Sequence, residues 1–319
     1  MENKVFIIFN TTSIGDVLVT NTLVQNIKLY YPDSKVVFVC NKPMIDVAKY
    51  QAGVSDVIGF DKKNNNTFKG IFNFVKNFPY KKPFASFVTY SNERNLLISR
   101  LIGSKHIISH HKFKLWNTSE KFELKEYTHI KDKWGGMIET LTNEHKNLPI
   151  KYIPPIIDNE LTRKIREFKN PVAISPTSNL AQKDMELSDC KELIKLLNQN
   201  GYTPIMTGAG EVARKFVIDL KKEGCFDFID IVDCTNFIEL ANILTICGKC
   251  ISVDTGTLHF ANALSVPVVG IFYMGLAEVW GSDATLYPAK IFNGNFDRTL
   301  KITPQEIVNA LNELLGVTK

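Results

Sequence analysis

Short apolar runs alternate with stretches of helical periodicity along nearly the whole chain, and the alternation runs through twice. Val5–Phe9 has no polar alternation, the pattern of a strand buried on both faces. A polar turn follows. Residues 16–31 then carry Val17, Leu18, Leu23, Val24 and Ile27 at helical spacing, ended by Pro32 and Asp33. The spacing predicts further strands at 36–40, Asp56–Phe60 and 84–89, helices at 44–51 and 92–101, and a loop at Asn64, Asn65 and Asn66. Phe68, Ile71, Phe72 and Val75 fall on one face of a helix. Strands separated by helices predict parallel sheets built from βαβ units.

Pro149, Pro154 and Pro155 interrupt the rhythm and mark a linker. It then restarts, with strands at 172–175, 203–207, Cys250–Val253 and 266–272, and helices at 188–198, Glu211–Lys222, 237–245, 258–263 and 304–315. A chain of 319 residues exceeds what one core usually fills, so two domains are expected, 1–155 and 156–319. No apolar run approaches the ~18 residues of a membrane span, and no signal-peptide pattern precedes the first strand. A cytoplasmic protein is expected. The six cysteines are scattered, and the lone pair Cys247 and Cys250 lacks a partner pair or nearby histidines, so packing thiols are expected rather than a zinc site. Residues 1–155 hold 22 basic against 13 acidic side chains, and residues 156–319 hold 16 against 20. Either the first half meets something anionic or its lysines are simply solvated.

Ligands of such folds bind beyond the carboxyl ends of the strands. Four turns there carry candidate chemistry. The first, Asn10 to Asp16, offers hydroxyls and a carboxylate, with helix capping by Ser13 or Asp16 as the alternative. The second, Gly208-Ala209-Gly210-Glu211-Val212-Ala213, fits a dinucleotide fingerprint, with Asp227 and Asp230 near where a ribose-binding acid is expected. In the third, a strand ends in Asp254-Thr255-Gly256-Thr257 and a helix begins at once, an anion site of backbone N–H groups and hydroxyls. The fourth is Ser175-Pro176-Thr177-Ser178 followed by Lys183, which suits a phosphate clamp or is a surface loop. No Asp-x-Asp, His-Glu-x-x-His or Walker A pattern occurs, so no metal-bridged diphosphate and no metal is expected.

Together these stretches resemble glycosyltransferase family 9, the ADP-heptose:lipopolysaccharide heptosyltransferases. Ser13-Ile14-Gly15-Asp16-Val17-Leu18 looks like the family's N-terminal signature. Ser252-Val253-Asp254-Thr255-Gly256, then His259, Ala261, Ala263 and Pro267, looks like its most specific one. Thr177, Ser178 and Lys183 fall at its phosphate-contacting segment, and Glu211 follows its glycine-rich turn. The chain departs from the family at Asn10, where Lys or Arg is usual, and at Met185-Glu186, where Trp-Pro is usual.

The resemblance implies the GT-B fold: two Rossmann-like domains with parallel sheets facing a central cleft. The acceptor would bind the first domain and a nucleotide sugar the second, with helix 304–315 packing back on the first. It implies inverting transfer, most simply of heptose from ADP-heptose to a lipopolysaccharide or lipooligosaccharide core, without metal. Asp16 would be the general base. Thr177, Ser178, Lys183, Thr255, Gly256 and Thr257 would hold the diphosphate, Asp254 the sugar hydroxyls and Glu211 the ribose. Ser13, Gly15 and His259 would support them. Asn10 and Thr12, with Arg100, Lys105, His106, His110, His111, Lys112 and Lys114, would face an anionic lipid-linked acceptor, and the enzyme would work in the cytoplasm with peripheral contact at the inner membrane face. No nucleic-acid partner is expected. A nucleotide-sugar epimerase of the same architecture, a nicotinamide oxidoreductase resting on Gly208 to Ala213, and a non-catalytic binding module stay as rivals.

Overall fold

The structure, a computed structural model, describes residues 4–90, 92–110, 120–121 and 127–316. The chain divides into two compact units, Met1–Ile153 and Pro154–Lys319. Both are α/β with an all-parallel sheet. The first holds Val5–Phe9 (β1), Lys35–Asn41 (β2), Asp56–Phe60 (β3), Ala85–Val88 (β4), His106–Ser109 (β5) and Glu120–Lys121 (β6), in the order β3-β2-β1-β4-β5-β6. The second holds Pro171–Ser175 (β7), Thr203–Met206 (β8), Ile229–Asp230 (β9), Cys250–Val253 (β10), Val268–Phe272 (β11) and Ala289–Asn293 (β12), in the order β12-β11-β10-β7-β8-β9. Each is the doubly wound order, with the chain reversing direction across the sheet at β1/β4 and at β7/β10. A crevice opens at such a switch point because the flanking helices leave to opposite faces of the sheet.

The apolar runs fill the centre of each unit. Phe6, Ile7, Ile8 and Phe9 are fully buried, as are Val36 through Cys40 on β2. The second core gathers Val172, Ile174, Ile251, Val253, Val269 and Ile271 from three adjacent strands. All six cysteines are free thiols and five are buried. Burial pushes the Cys247 thiol up to about 12.

Three local expectations change. The stretch 16–31 is two helices, Ile14–Val19 and Asn21–Tyr30, joined at Thr20, whose hydroxyl donates to the Asp16 carbonyl (2.8 Å). Asn64 and Asn65 lie in a helical turn, Lys62–Asn65, because Asp61 caps it through the Lys63 and Asn64 N–H groups. The helix Phe68–Asn77 buries Ile71 and Val75 with Phe74 and Phe78 beside them, so its inner face is rotated away from Phe68 and Phe72. The last helix, Pro304–Leu314, adds Ile307, Val308 and Leu311 to the core of the second unit, against the helix Leu187–Gln199.

Candidate functional site

Asp16 stands in the first turn of the helix Ile14–Val19, just beyond the carboxyl end of β1. Ser13 is the N-cap residue by backbone geometry, yet no side chain caps this helix. The Ser13 hydroxyl donates instead to Asp16 Oδ2 (2.6 Å), and the Tyr90 hydroxyl donates to Oδ1. Tyr90 follows β4, the other strand of the switch point. Both carboxylate oxygens are therefore held by hydroxyls. Among the described residues Asp16 makes no ion pair. Burial, then the charge of Asp16 and the hydrogen bond to it, push the Tyr90 phenol far up, which keeps it a donor.

Asn10 was expected to meet the acceptor. It is fully buried, and its amide is consumed within the turn. Nδ2 donates to the Asp16 carbonyl (3.1 Å) and to Thr20 Oγ1 (2.8 Å), while Oδ1 accepts from the Thr12 N–H (3.2 Å) and hydroxyl. A neutral amide with donors and acceptors both satisfied shapes the loop and offers nothing outward, and it engages the Thr12 hydroxyl as well. Gly15 is buried beneath the same turn.

The basic cluster is split by the direction of β5. Arg100, Lys105 and His106 lie at its amino end, where Lys105 stacks on Phe84 (5.6 Å) and His106 packs on the same ring (5.1 Å). His110 lies at the carboxyl end, ~16 Å along the strand from Lys105. Among the described members of the cluster, His110 alone thus shares an edge with Asp16. His111, Lys112 and Lys114 lie outside the described residues. His110 and Tyr90 both pack on Trp134 (4.9 Å each), which is almost wholly buried. Arg94 reaches the same edge, its guanidinium over Phe60 (4.3 Å), with Nη1 donating to Asn66 Oδ1 and Nη2 to Thr11 Oγ1 (3.4 Å). The sequence reading missed Tyr90, Arg94 and Trp134. The position of Tyr90 directly after an apolar strand was the available signal.

The second unit repeats the geometry. Lys183, in a short 3₁₀ turn after β7, pairs with Asp254, which follows β10. Lys183 Nζ lies 2.5 Å from Asp254 Oδ2, and the carboxylate is only 8% exposed. The two expected residues meet across the β7/β10 switch point. Thr177 is buried. The Ser178 hydroxyl is engaged with the Leu180 backbone (2.9 and 3.0 Å), and its N–H donates to Asp184 Oδ1 (2.6 Å). Burial pushes the Asp184 carboxyl up, against the Ser178 N–H. Arg298 clasps this loop, donating to the Gln182 and Asp184 carbonyls (2.6 and 2.7 Å) on either side of Lys183 while lying over Tyr273 (4.7 Å). Neither Asp184 nor Arg298 was anticipated; Asp184 directly follows the motif lysine, whereas Arg298 is distant in sequence from any motif.

Directly after Asp254 begins the helix Gly256–Ala263, with Thr255 as N-cap and no side chain capping it. Its first N–H groups form the positive end of the helix dipole beside the Lys183 ammonium. His259 is buried one turn in, against Trp280 (6.2 Å). Glu211 is exposed at the first position of the helix Glu211–Lys222, after Gly210. Here the anion position at the helix start is already taken. The Gly210 N–H donates to Asp233 Oδ1 (2.6 Å), which holds the Asp233 carboxyl below its usual range. Asp230, a ribose candidate of the nicotinamide reading, is paired with Arg214 (3.0 Å) and Lys221 (2.9 Å). A dinucleotide pyrophosphate would meet the Asp233 carboxylate, so this glycine turn does not fit that reading.

Residues 97–282 match the model of Glycosyltransferase family 9 (heptosyltransferase), more than half of the chain and all of the Lys183–Asp254 geometry. The chain belongs to this family. Over 94% of its length it is 21% identical to lipopolysaccharide heptosyltransferase 3 of Escherichia coli, covering 96% of that protein. The family 9 glycosyltransferase of Veillonella parvula superposes over 100% of this chain and 99% of its own with a TM-score of 0.84 at 16% identity. The E. coli heptosyltransferase WaaC, solved with ADP, gives 0.78 over 97% and 99% at 14% identity. These likenesses bear out the GT-B fold class. As a family 9 member the chain is a glycosyltransferase, and that disposes of the oxidoreductase and binding-module rivals. Asp16 lies outside the matched span.

Proposed function

We propose that this family 9 enzyme is an inverting, metal-independent transferase moving heptose from ADP-heptose to an anionic, lipid-linked core saccharide at the cytoplasmic face of the inner membrane. In this reading the first unit takes the acceptor and the second the donor. The observation that carries it is Asp16: a carboxylate beyond β1, held by two hydroxyls, capping nothing and neutralised by no cation among the described residues. That is the state of a general base. The acceptor hydroxyl attacks the anomeric carbon, its proton passes to Asp16, and the bond to the β-phosphate oxygen breaks with inversion. The electron pair leaves on the diphosphate. Lys183 and the N–H groups at Gly256 and Thr257 stabilise that charge, with Thr177 lining the loop. Asp254 orients Lys183 and accepts from sugar hydroxyls, and Glu211 accepts from the ribose. The excess of basic residues in 1–155 favours an acceptor bearing phosphates or carboxylates, with His110 and Arg94 on the Asp16 edge as its nearest partners.

The Asp16→Asn variant tests this. The amide keeps an acceptor oxygen for one of the two hydroxyls, the other hydroxyl can turn to accept from the amide N–H, and Asn tolerates the helix start as well as Asp does. Turnover of ADP-heptose with acceptor is expected to fall by roughly 10²–10⁴, while donor affinity and melting temperature hardly move. Near-wild-type turnover would refute the mechanism and leave the fold untouched.

A further inference from the structure

The segment from Lys62 to Lys82 carries six lysines and no carboxylate; the nearest acids in the chain are Asp61 and Glu93. Asp61 is already committed, capping the turn Lys62–Asn65 and pairing with Lys42 (3.1 Å). Within this segment the helix Phe68–Asn77 exposes two large aromatics one turn apart: Phe68 is 86% exposed and Phe72 66%. Lys69 and Lys76 are exposed on the same side, and Lys62 and Lys63 stand exposed before the helix. The aromatics are not on a loose loop. Thr67 caps the helix through the Gly70 N–H (3.1 Å), and Ile71, Phe74, Val75 and Phe78 anchor its opposite side in the core.

We infer that this face docks the enzyme on an anionic lipid bilayer, with Phe68 and Phe72 entering the acyl boundary and the lysines meeting lipid phosphates. Apolar rings ringed by cations and free of acids match an interfacial helix. A second copy of the chain is a poor occupant, since a two-fold contact would set lysines against lysines. The inference deepens the proposed reading and rests on it for the reason such docking is useful, namely reaching a lipid-linked acceptor.

The test is sedimentation of the full chain with vesicles of phosphatidylethanolamine and phosphatidylglycerol (3:1) or of phosphatidylcholine alone, with no donor or acceptor present. Binding to the anionic vesicles, weakened by high salt, is expected. Phe68→Ser/Phe72→Ser is expected to lower partitioning by about tenfold or more. Changing Lys62, Lys63, Lys69 and Lys76 to Gln is expected to lower it about fivefold per lysine. All six positions are exposed, so melting temperatures stay near wild type. Absence of anionic-vesicle binding, equal partitioning of the phenylalanine variant, or a solution dimer abolished by that variant would each overturn the inference. A deacylated core saccharide separates it from the enzymatic reading. The phenylalanine variant should glycosylate that soluble acceptor at the wild-type rate, whereas failure of the wild type to do so would count against the acceptor and leave the vesicle result standing.

Discussion

Asp16 and Lys183 illustrate how charged residues at equivalent strand ends acquire opposite surroundings. Asp16 sits between two hydroxyls with no ion pair among the described residues, whereas Lys183 is tied to a buried carboxylate at 2.5 Å. An ammonium so placed is aimed, because Asp254 and the Arg298 clasp on its loop limit where it can go. If Lys183 meets the donor diphosphate, Lys183→Ala removes a charge-assisted contact. Calorimetry should show ADP binding weakened by about 1.5–3 kcal/mol. The same change strands the Asp254 carboxylate in a poorly solvated position, so the melting temperature should fall as well. Unchanged ADP affinity would move the diphosphate away from this loop.

At the scale of elements, each strand-to-helix turn owes its shape to a few close approaches. Gly208, after β8, has φ +153°, and a Cβ there would sit 2.8 Å from Ala213 Cβ on the following helix. Gly201 has φ +77° with nothing within 4 Å. Strain acts at both positions, and steric overlap with a packed neighbour only at Gly208. Gly208→Ala should therefore cost about 1–3 kcal/mol of stability, and Gly201→Ala only the lower end of that range. Thermal melts of the two variants side by side decide it; equal losses would mean that strain alone matters. The glycine turn thus brings the helix Glu211–Lys222 close to its strand, and the adjoining Asp233 bond fills its anion position from within the protein.

For the whole molecule, each unit owns a separate hydrophobic core. Among the described residues no cluster of His, Cys, Asp and Glu has the makings of a metal site, and no helix is long and apolar enough to cross a membrane. If the second unit takes the donor through lysine and backbone N–H groups, ADP at about 100 times its dissociation constant should stabilise that unit by about 2.7 kcal/mol. Scanning calorimetry should show the stabilisation undiminished in saturating EDTA, and transfer should persist there too. A strict requirement for a divalent ion would overturn the metal-independent mechanism.

The apolar runs by themselves determined the parallel strands, and the turns after them determined which residues sit at the strand ends. A run such as Val5–Phe9 has one way to bury both faces, so the local pattern is enough to put Asp16, Lys183 and Asp254 at carboxyl ends. Short or polar strands such as β6 and β9 carry too little apolar signal to be read this way. Tertiary structure alone decided what meets at those ends. Tyr90 reaches Asp16 only because β4 lies beside β1, and Lys183 reaches Asp254 only because β10 lies beside β7. It also rotated the helix Phe68–Asn77 to leave two phenylalanines outside, and it sent Lys105 and His110 to opposite ends of β5. Periodicity fixes which residues share a face of an element. Which face is buried, and which elements are neighbours, depends on long-range packing that no local pattern encodes.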